Sequence, residues 1–300
     1  MFAGSLTTRA FLSGKQVEKS SAFPLPTREM ATYLRYSWKR TTKDADRLSP
    51  LGQVGQTLED RPPQCKELPM LGPTDYDSIA RRYAANIDEQ PWNALYERPT
   101  TLALLPDVNG KDVLDAGCAH GWYADWLARK GARVVAVDRS RDMVMLARER
   151  LGERARVIHG DVSDLRDTLA SDSFDIILSS LVVHYLADLG KTFLEWARLL
   201  RPRGTLVFST HHPVHENRIP DPGYLCAELI EEEWVWLGER MRYYQRPLRD
   251  LTEPLSAAEF LIERMSEPTP SEALKSRDPR GYEQLSRVPA FIFVRARKWE

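Results

Sequence analysis

Three carboxylates stand at the ends of three short apolar runs: Asp115 in VLDAG, Asp138 in VVAVD and Asp161 in VIHGD. The stretch GCAHG, residues 117–121, lies between the first two and opens a helical pattern. Glycines in a strand-to-helix turn let the backbone approach a ligand with no Cβ in the way, and the helix that follows presents unpaired N–H groups. Asp138 comes 21 residues after Gly117, where a carboxylate can accept hydrogen bonds from both hydroxyls of a ribose. Each such charge-assisted bond contributes about 1.5–3 kcal/mol. His184 in LVVHY and the pair His211 and His212 in STHHP follow two further apolar runs. Histidine is the side chain best suited to take a proton near neutral pH. These residue types point to a nucleoside-bearing ligand and to a nearby group that moves a proton.

The elements needed to position them are legible in the periodicity. KDVLDAG reads as a strand, WYADWLARKG as a helix closed by Gly131, ARVVAVD as a strand, and SRDMVMLARERLG as a helix capped by Ser140 and ended by Gly152. ARVIHGD and FDIILSS follow as strands, KTFLEWARLLRPRG as a helix stopped by Pro202 and Gly204, and TLVFSTHH as a fifth strand. Short apolar strands separated by helices imply a parallel sheet covered on both faces, a doubly wound α/β domain. Two helices, in YDSIARRYAANI and PWNALYERPTTLALL, precede it. After it, EEEWVW and MRYYQRPL read as a hairpin and LSAAEFL as a helix. IERMSEPTP and PAFIFVRARKW read as a final antiparallel pair of strands around residues 271–287. In an open sheet of this kind the ligand sits beyond the carboxyl ends of the strands, where strand order reverses.

The turn itself narrows the ligand. The dinucleotide pattern G-x-G-x-x-G, started at Gly117, needs glycine where Ala119 and Trp122 stand. The spacing Asp115, Gly117, Gly121 instead resembles the D/E-x-G-x-G-x-G turn of the class I S-adenosylmethionine-dependent methyltransferases, with Ala119 as the departure. The sequence is most similar to their bacterial small-molecule branch, which contains the ubiquinone and menaquinone biosynthesis methyltransferases, over roughly Tyr76 to Lys298. The resemblance implies a seven-stranded, mostly parallel Rossmann-like sheet with an antiparallel last strand, and S-adenosylmethionine as cofactor. It puts Asp161 against the adenine amino group and a backbone N–H of Val162 against the ring. It also extends the expected cofactor set to Asp115, Gly117, Cys118, Ala119, Gly121, Asp138, Arg139, Met143 and Ser179. The methyl group of Ala119 falls near the expected methionine portion.

The implied reaction is an in-line displacement that delivers a methyl group to O, N or C of a small, partly apolar molecule, in which alignment alone supplies up to about 7–11 kcal/mol. His211, His212 and His184 are the candidate bases, and His120 is expected to shape the cofactor pocket. No metal is expected, since Pro213 interrupts the grouping of His211, His212 and His215. Tyr83, Trp92, Tyr96 and Arg98 from the leading helices, with Trp234, Trp236, Tyr243 and Tyr244 from the hairpin, are expected to cover the cleft. The run Glu231 to Glu233 reads as solvated.

Composition sets the remaining limits. With 42% hydrophobic and 28% charged residues and a net charge of −1, the chain is globular and has no global pull toward polyanions. Residues 1–50 carry nine Lys/Arg against four Asp/Glu. Up to Pro73 the sequence reads as an extension that buries too little apolar area to order itself, with residues 74–300 as the domain and about 212–250 and 271–287 as additions over the cleft. Within that extension, YLRYSWKR (Tyr33–Arg40) reads as a short amphipathic helix. The apolar stretch Phe174 to Leu186 is interrupted by Asp175, Ser179, Ser180 and His184, so no membrane span is expected. Cys65, Cys118 and Cys226 are widely spaced, which suggests neither a disulfide framework nor a zinc site and fits a reducing, cytosolic setting. The expected partner is a small-molecule acceptor rather than nucleic acid, and the expected assembly is a monomer or homodimer. Two alternatives stay open: an RNA or protein methyltransferase using the basic extension, and a non-catalytic module that only binds the cofactor.

Overall fold

Residues 73–214 and 223–300 are described by the computed structural model. The N-terminal extension, its Tyr33–Arg40 stretch, Cys65 and His215 lie outside them. The apolar runs form β1 (Asp112–Ala116), β2 (Arg133–Asp138), β3 (Ala155–His159), β4 (Phe174–Ser180) and β5 (Leu200–His211), all parallel. A separate antiparallel hairpin, β6 (Glu228–Trp234) and β7 (Glu239–Gln245), follows, and then come β8 (Phe260–Ser266) and β9 (Phe291–Lys298). The main sheet has seven strands in the order β3-β2-β1-β4-β5-β9-β8, and β9 is antiparallel to both of its neighbours. Strand order reverses between β1 and β4, which opens a crevice over the carboxyl ends of those two strands.

Alternate residues on each strand face opposite sides, so the sheet builds two cores. Leu114, Ile177 and Phe208 pack on one face, with Phe193 and Trp196 of α5 (Leu189–Leu199). Val113, Ile176 and Val207 pack on the other, with Leu127 of α3 (Trp122–Arg129) and Ala147 of α4 (Arg141–Leu151). The α4 helix starts where expected: the Ser140 hydroxyl accepts the N–H of Met143 at 3.1 Å, which satisfies one of the orphan donors of the first turn. Ahead of β1 stand α1 (Ala80–Ile87) and α2 (Arg98–Leu104), the second entered through a π-type turn at Asn93–Glu97. Closing the domain are α6 (Arg249–Ala257), α7 (Glu272–Arg277) and α8 (Pro279–Arg287).

Several boundaries differ from the sequence reading. Helix α5 ends at Leu199, and Leu200 already pairs with Phe174 of β4 across a bulge, so RPRG belongs to the strand and not to the helix. Helix α6 runs Arg249–Ala257 and carries Pro254 in its interior, so it starts ahead of the LSAAEFL stretch expected as a helix and ends within it. Glu259 then takes a φ of +60°, which turns the chain into β8 at Phe260. The segment 271–287, expected as an addition over the cleft, is the helix pair α7 and α8, and its Leu274 and Leu285 are buried in the second core. Cys118 is a buried free thiol. Among the described residues no helix is long and apolar enough to cross a membrane.

Candidate active site

A cavity of about 320 Å³ occupies the crevice between β1 and β4. Every residue of the expected cofactor set lines it except Gly121 and Ser179. Gly121 acts one layer back. Its φ of +85° starts α3, and a Cβ there would lie 3.1 Å from Leu151 Cδ1, so glycine is what lets α3 pack against α4. Ser179 is fully buried inside the sheet, and its hydroxyl donates to the Ala116 carbonyl at 2.8 Å. It ties β4 to β1 without reaching the cavity, which corrects its assignment.

Each strand-end acid has a distinct environment. Asp115 is 1% exposed, and its Oδ2 has no hydrogen-bond partner. Burial, reinforced by the Asp138 charge and only partly offset by the Ala124 N–H, raises its carboxyl from the ordinary 3.8 to about 7. Asp138 accepts from the Ala119 N–H at 2.8 Å and from the Ser140 N–H at 2.9 Å. Burial outweighs these two N–H groups and raises its carboxyl above the ordinary value. One bond to each oxygen leaves each with a further acceptor site. Asp161 is exposed and closes its own turn by accepting both the N–H and the hydroxyl of Ser163 at 2.8 Å. The N-terminal segment is fastened onto this edge: the Asp77 carboxylate accepts the hydroxyl of Ser140 at 2.5 Å, and Thr74 N donates to the Arg242 carbonyl of the hairpin at 3.0 Å.

The candidate bases lie elsewhere. His184 is 3% exposed; its ring stacks on His211 at 3.9 Å, and its Nδ1 pairs with the Thr210 hydroxyl at 3.2 Å. His211 sits between that ring and Phe291, with the edge of Tyr243 at 4.2 Å. His212 uses both ring nitrogens: Nε2 pairs with Glu267 at 2.6 Å, and Nδ1 accepts the Val214 N–H at 3.1 Å. None of the three lines the cavity. The reason is that β9 pairs Phe291 with His211 and the hairpin brings Tyr243 over it, filling the loop space that the sequence reading left open.

His120, assigned to pocket shape, does line the cavity. Its Nε2 lies 2.9 Å from Asp88 Oδ1, and its buried Nδ1 has no partner. Asp88 also takes Arg98 at 3.1 Å and Arg150 at 2.8 Å. Burial pushes its carboxyl up, but the hydrogen bonds from His120 and Arg150 outweigh this and hold it well below the usual range. In the neutral ring the carboxylate fixes the proton on Nε2 and leaves a lone pair on Nδ1. The sequence reading also missed Glu97. It lines the cavity at 1% exposure and accepts from Thr101, Ser180, Ser209 and Tyr123. Of the aromatics expected over the cleft, Tyr83 reaches the cavity, with Arg98, while Trp92, Tyr96, Trp234, Trp236, Tyr243 and Tyr244 do not. Trp236 supports Tyr83 from behind at 5.9 Å. In the acidic run, Glu231 pairs with Arg240 at 3.0 Å and Glu232 accepts the Tyr243 hydroxyl. Among the described residues no group of His, Cys, Asp and Glu is arranged to hold a metal ion.

Residues 114–208 match the family described as methyltransferase domain. The crystal structure of an S-adenosylmethionine-dependent methyltransferase from Mesorhizobium loti superposes with a TM-score of 0.59 at 30% identity, covering 68% of this chain and 99% of that one. An uncharacterized protein of Haemophilus influenzae is 28% identical over 229 residues, 69% of this chain and 89% of its own length. A malonyl-[acyl-carrier protein] O-methyltransferase of Pectobacterium atrosepticum is 37% identical over 109 residues, and this chain spans only 42% of its length. A reversed-strand sheet with a glycine turn and acids at its strand ends, together with these likenesses, defines a nucleoside-dependent group transferase. The chain belongs to the class I S-adenosylmethionine-dependent methyltransferases. Its cofactor is S-adenosylmethionine, and the residues present fit that group. The orphaned Asp115 Oδ2 calls for a donor such as an ammonium. At Gly117 a Cβ would lie 2.3 Å from Val182 Cγ2, so the backbone here tolerates no side chain.

Proposed function

We propose that this enzyme methylates an oxygen of a small, partly apolar acceptor admitted to the cavity at the β1–β4 crevice. The observation that carries the reading is the lining: acids from three strand ends together with Tyr76, Tyr83, Trp122 and Tyr185. Bound S-adenosylmethionine supplies a methyl group already activated on a sulfonium. Asp115 takes the ammonium of its methionyl portion, Asp138 the two ribose hydroxyls, and Asp161 with the Val162 backbone the adenine. The aromatic wall holds the acceptor and keeps water out; burial raises the phenols of Tyr76, Tyr83 and Tyr185, so these rings meet the acceptor uncharged. His120, oriented by Asp88, receives the hydroxyl proton on Nδ1 as the oxygen is methylated. An oxygen acceptor is also what the names of two relatives share, the malonyl-[acyl-carrier protein] O-methyltransferase and a ubiquinone biosynthesis O-methyltransferase of Bartonella quintana.

Calorimetric titration with S-adenosylmethionine tests the cofactor assignment. The wild type binds, and Asp138→Ala loses at least about a hundredfold in affinity, the lower end of what two charge-assisted bonds contribute. Unchanged affinity in a folded Asp138→Ala protein removes the ribose role. A panel of phenols, carboxylic acids and amines with methyl-labelled cofactor then tests the oxygen preference.

A further inference from the structure

Asp115 and Glu97 are both 1% exposed and both line the cavity. They come from different elements, Asp115 from β1 and Glu97 from the π-type turn that enters α2. That turn routes the Arg98 N–H to the Asn93 carbonyl, five residues back, and the widened geometry sets Glu97 toward the sheet. Hydroxyls from four elements meet its carboxylate. Oε1 accepts from Thr101 at 2.7 Å, Ser180 at 2.8 Å and Ser209 at 2.7 Å, and Oε2 accepts from Tyr123 at 2.7 Å. Oε1 is thereby filled, and Oε2 keeps an acceptor site. No Lys, Arg or His pairs with Glu97 among the described residues. The guanidinium of Arg98, its neighbour in sequence, is taken by Asp88 at 3.1 Å and lies over the Trp122 ring at 4.2 Å.

A carboxylate removed from water needs a compensating charge or hydrogen bonds, and among the described residues no Lys, Arg or His pairs with either acid. A ligand carrying two positive charges matches both. Asp115, with its orphaned Oδ2, is matched by an ammonium, which the methyl donor and its thioether product carry alike. Glu97 has left to it the charge that only the donor carries. We propose that Glu97 is the counter-charge of the sulfonium centre, so that the cavity selects the charged donor over its neutral product. The inference rests on the reading of this cavity as the cofactor site. Its consequence is that the spent cofactor leaves readily, because methyl transfer removes the positive charge that Glu97 attracts.

Calorimetry on the full chain tests this with three probes: S-adenosylmethionine, S-adenosylhomocysteine, and an analogue with an amine-bearing carbon in place of the sulfonium. Wild type is expected to bind both charged probes at least about tenfold more tightly than the neutral one, the size of one charge-assisted contact. In Glu97→Gln the three affinities converge while that for S-adenosylhomocysteine is unchanged. If Glu97→Gln does not fold, Tyr123→Phe keeps the charge and removes one hydroxyl, and it keeps or widens the gap. Equal affinities in wild type, a gap that survives Glu97→Gln, or a narrower gap in Tyr123→Phe each overturn the inference and leave the cofactor site standing. If folded wild type binds none of the probes, the cofactor-site reading falls and takes the inference with it.

Discussion

Two groups of histidines stand at the carboxyl edge of one sheet and differ in what surrounds them. At the β4–β5 side, His184, His211 and His212 are stacked, paired and covered by β9 and the hairpin. At the β1 side, His120 lines the cavity, is anchored through Nε2 to Asp88 and has no partner at its buried Nδ1. Proximity to a strand end is therefore not enough to make a catalytic residue. What separates the two sides is whether neighbouring elements cover the residue or leave it at the cavity, and the same criterion separates Asp115, which lines the cavity, from Ser179, whose hydroxyl is spent on the Ala116 carbonyl inside the sheet.

The largest effect should come from exchanging the roles of the two sides. His120→Gln removes the lone pair of Nδ1, and turnover of a hydroxyl acceptor is expected to fall about 10²- to 10⁴-fold, the usual contribution of general base catalysis. The loss should shrink at high pH, where the acceptor loses its proton unaided, and cofactor affinity should stay the same. Asp88 and Tyr83 touch His120 directly, and Arg98 and Arg150 pair with Asp88 behind it. His212→Gln should leave turnover intact and cost only about 1 kcal/mol of stability through the lost pair with Glu267. Steady-state kinetics of both variants across pH decide the matter: a His212→Gln enzyme more impaired than His120→Gln reverses the comparison.

An intermediate effect concerns the unpaired acid. Asp115 rises from 3.8 to about 7, so the folded chain holds a proton that the unfolded chain has released between those values. The contribution of Asp115 to stability without cofactor is then fully present below about pH 4, falls as the pH rises toward 7 and is lost above it. The loss is on the order of 4 kcal/mol. Asp115→Asn abolishes this decline, so urea unfolding should find the variant more stable than wild type at pH 8 and similar to it near pH 4. Binding shows the opposite sign, since the ammonium that stabilises the ionised acid has no counter-charge in the variant. Wild-type affinity for S-adenosylmethionine should rise from pH 6 to pH 8, and that of Asp115→Asn should not.

The layout of the sheet was readable because it depends on local patterns: short, almost wholly apolar runs, the Ser140 cap, and glycines where the chain turns. The three strand-end acids were readable for the same reason, each lying within a few residues of the element that positions it. Asp88 and Glu97 were not, because their roles arise only on packing. Asp88 meets His120 across 32 residues, and Glu97 meets Ser209 across 112. In sequence YERP is an unremarkable helical stretch, and nothing local marks Glu97 as the point where four hydroxyls converge. The histidines were misassigned for the converse reason: their loops looked open until β9 and the hairpin were laid over them.

The smallest effect tests the departure at Ala119. Three residues of the turn have positive φ, but not equally: Gly117 is at +84° and Gly121 at +85°, while Ala119 is at +46°. The first two lie beyond the left-handed helical range of about +50° to +70°, whereas Ala119 sits at its near edge, where an alanine survives at a cost of about 1–2 kcal/mol. Glycine would relieve that strain but would add about 0.4–1 kcal/mol of unfolded-chain entropy to be lost on folding. Ala119→Gly should therefore stabilise by less than about 1 kcal/mol, raising the melting temperature by about 2 °C. The Ala119 N–H still reaches Asp138 through the backbone, so the ribose contact is preserved and cofactor affinity should hold or rise slightly. A clear loss of affinity in Ala119→Gly would mean that the methyl group contacts the cofactor, and that alanine at this position is an adaptation of the turn rather than a tolerated departure from it.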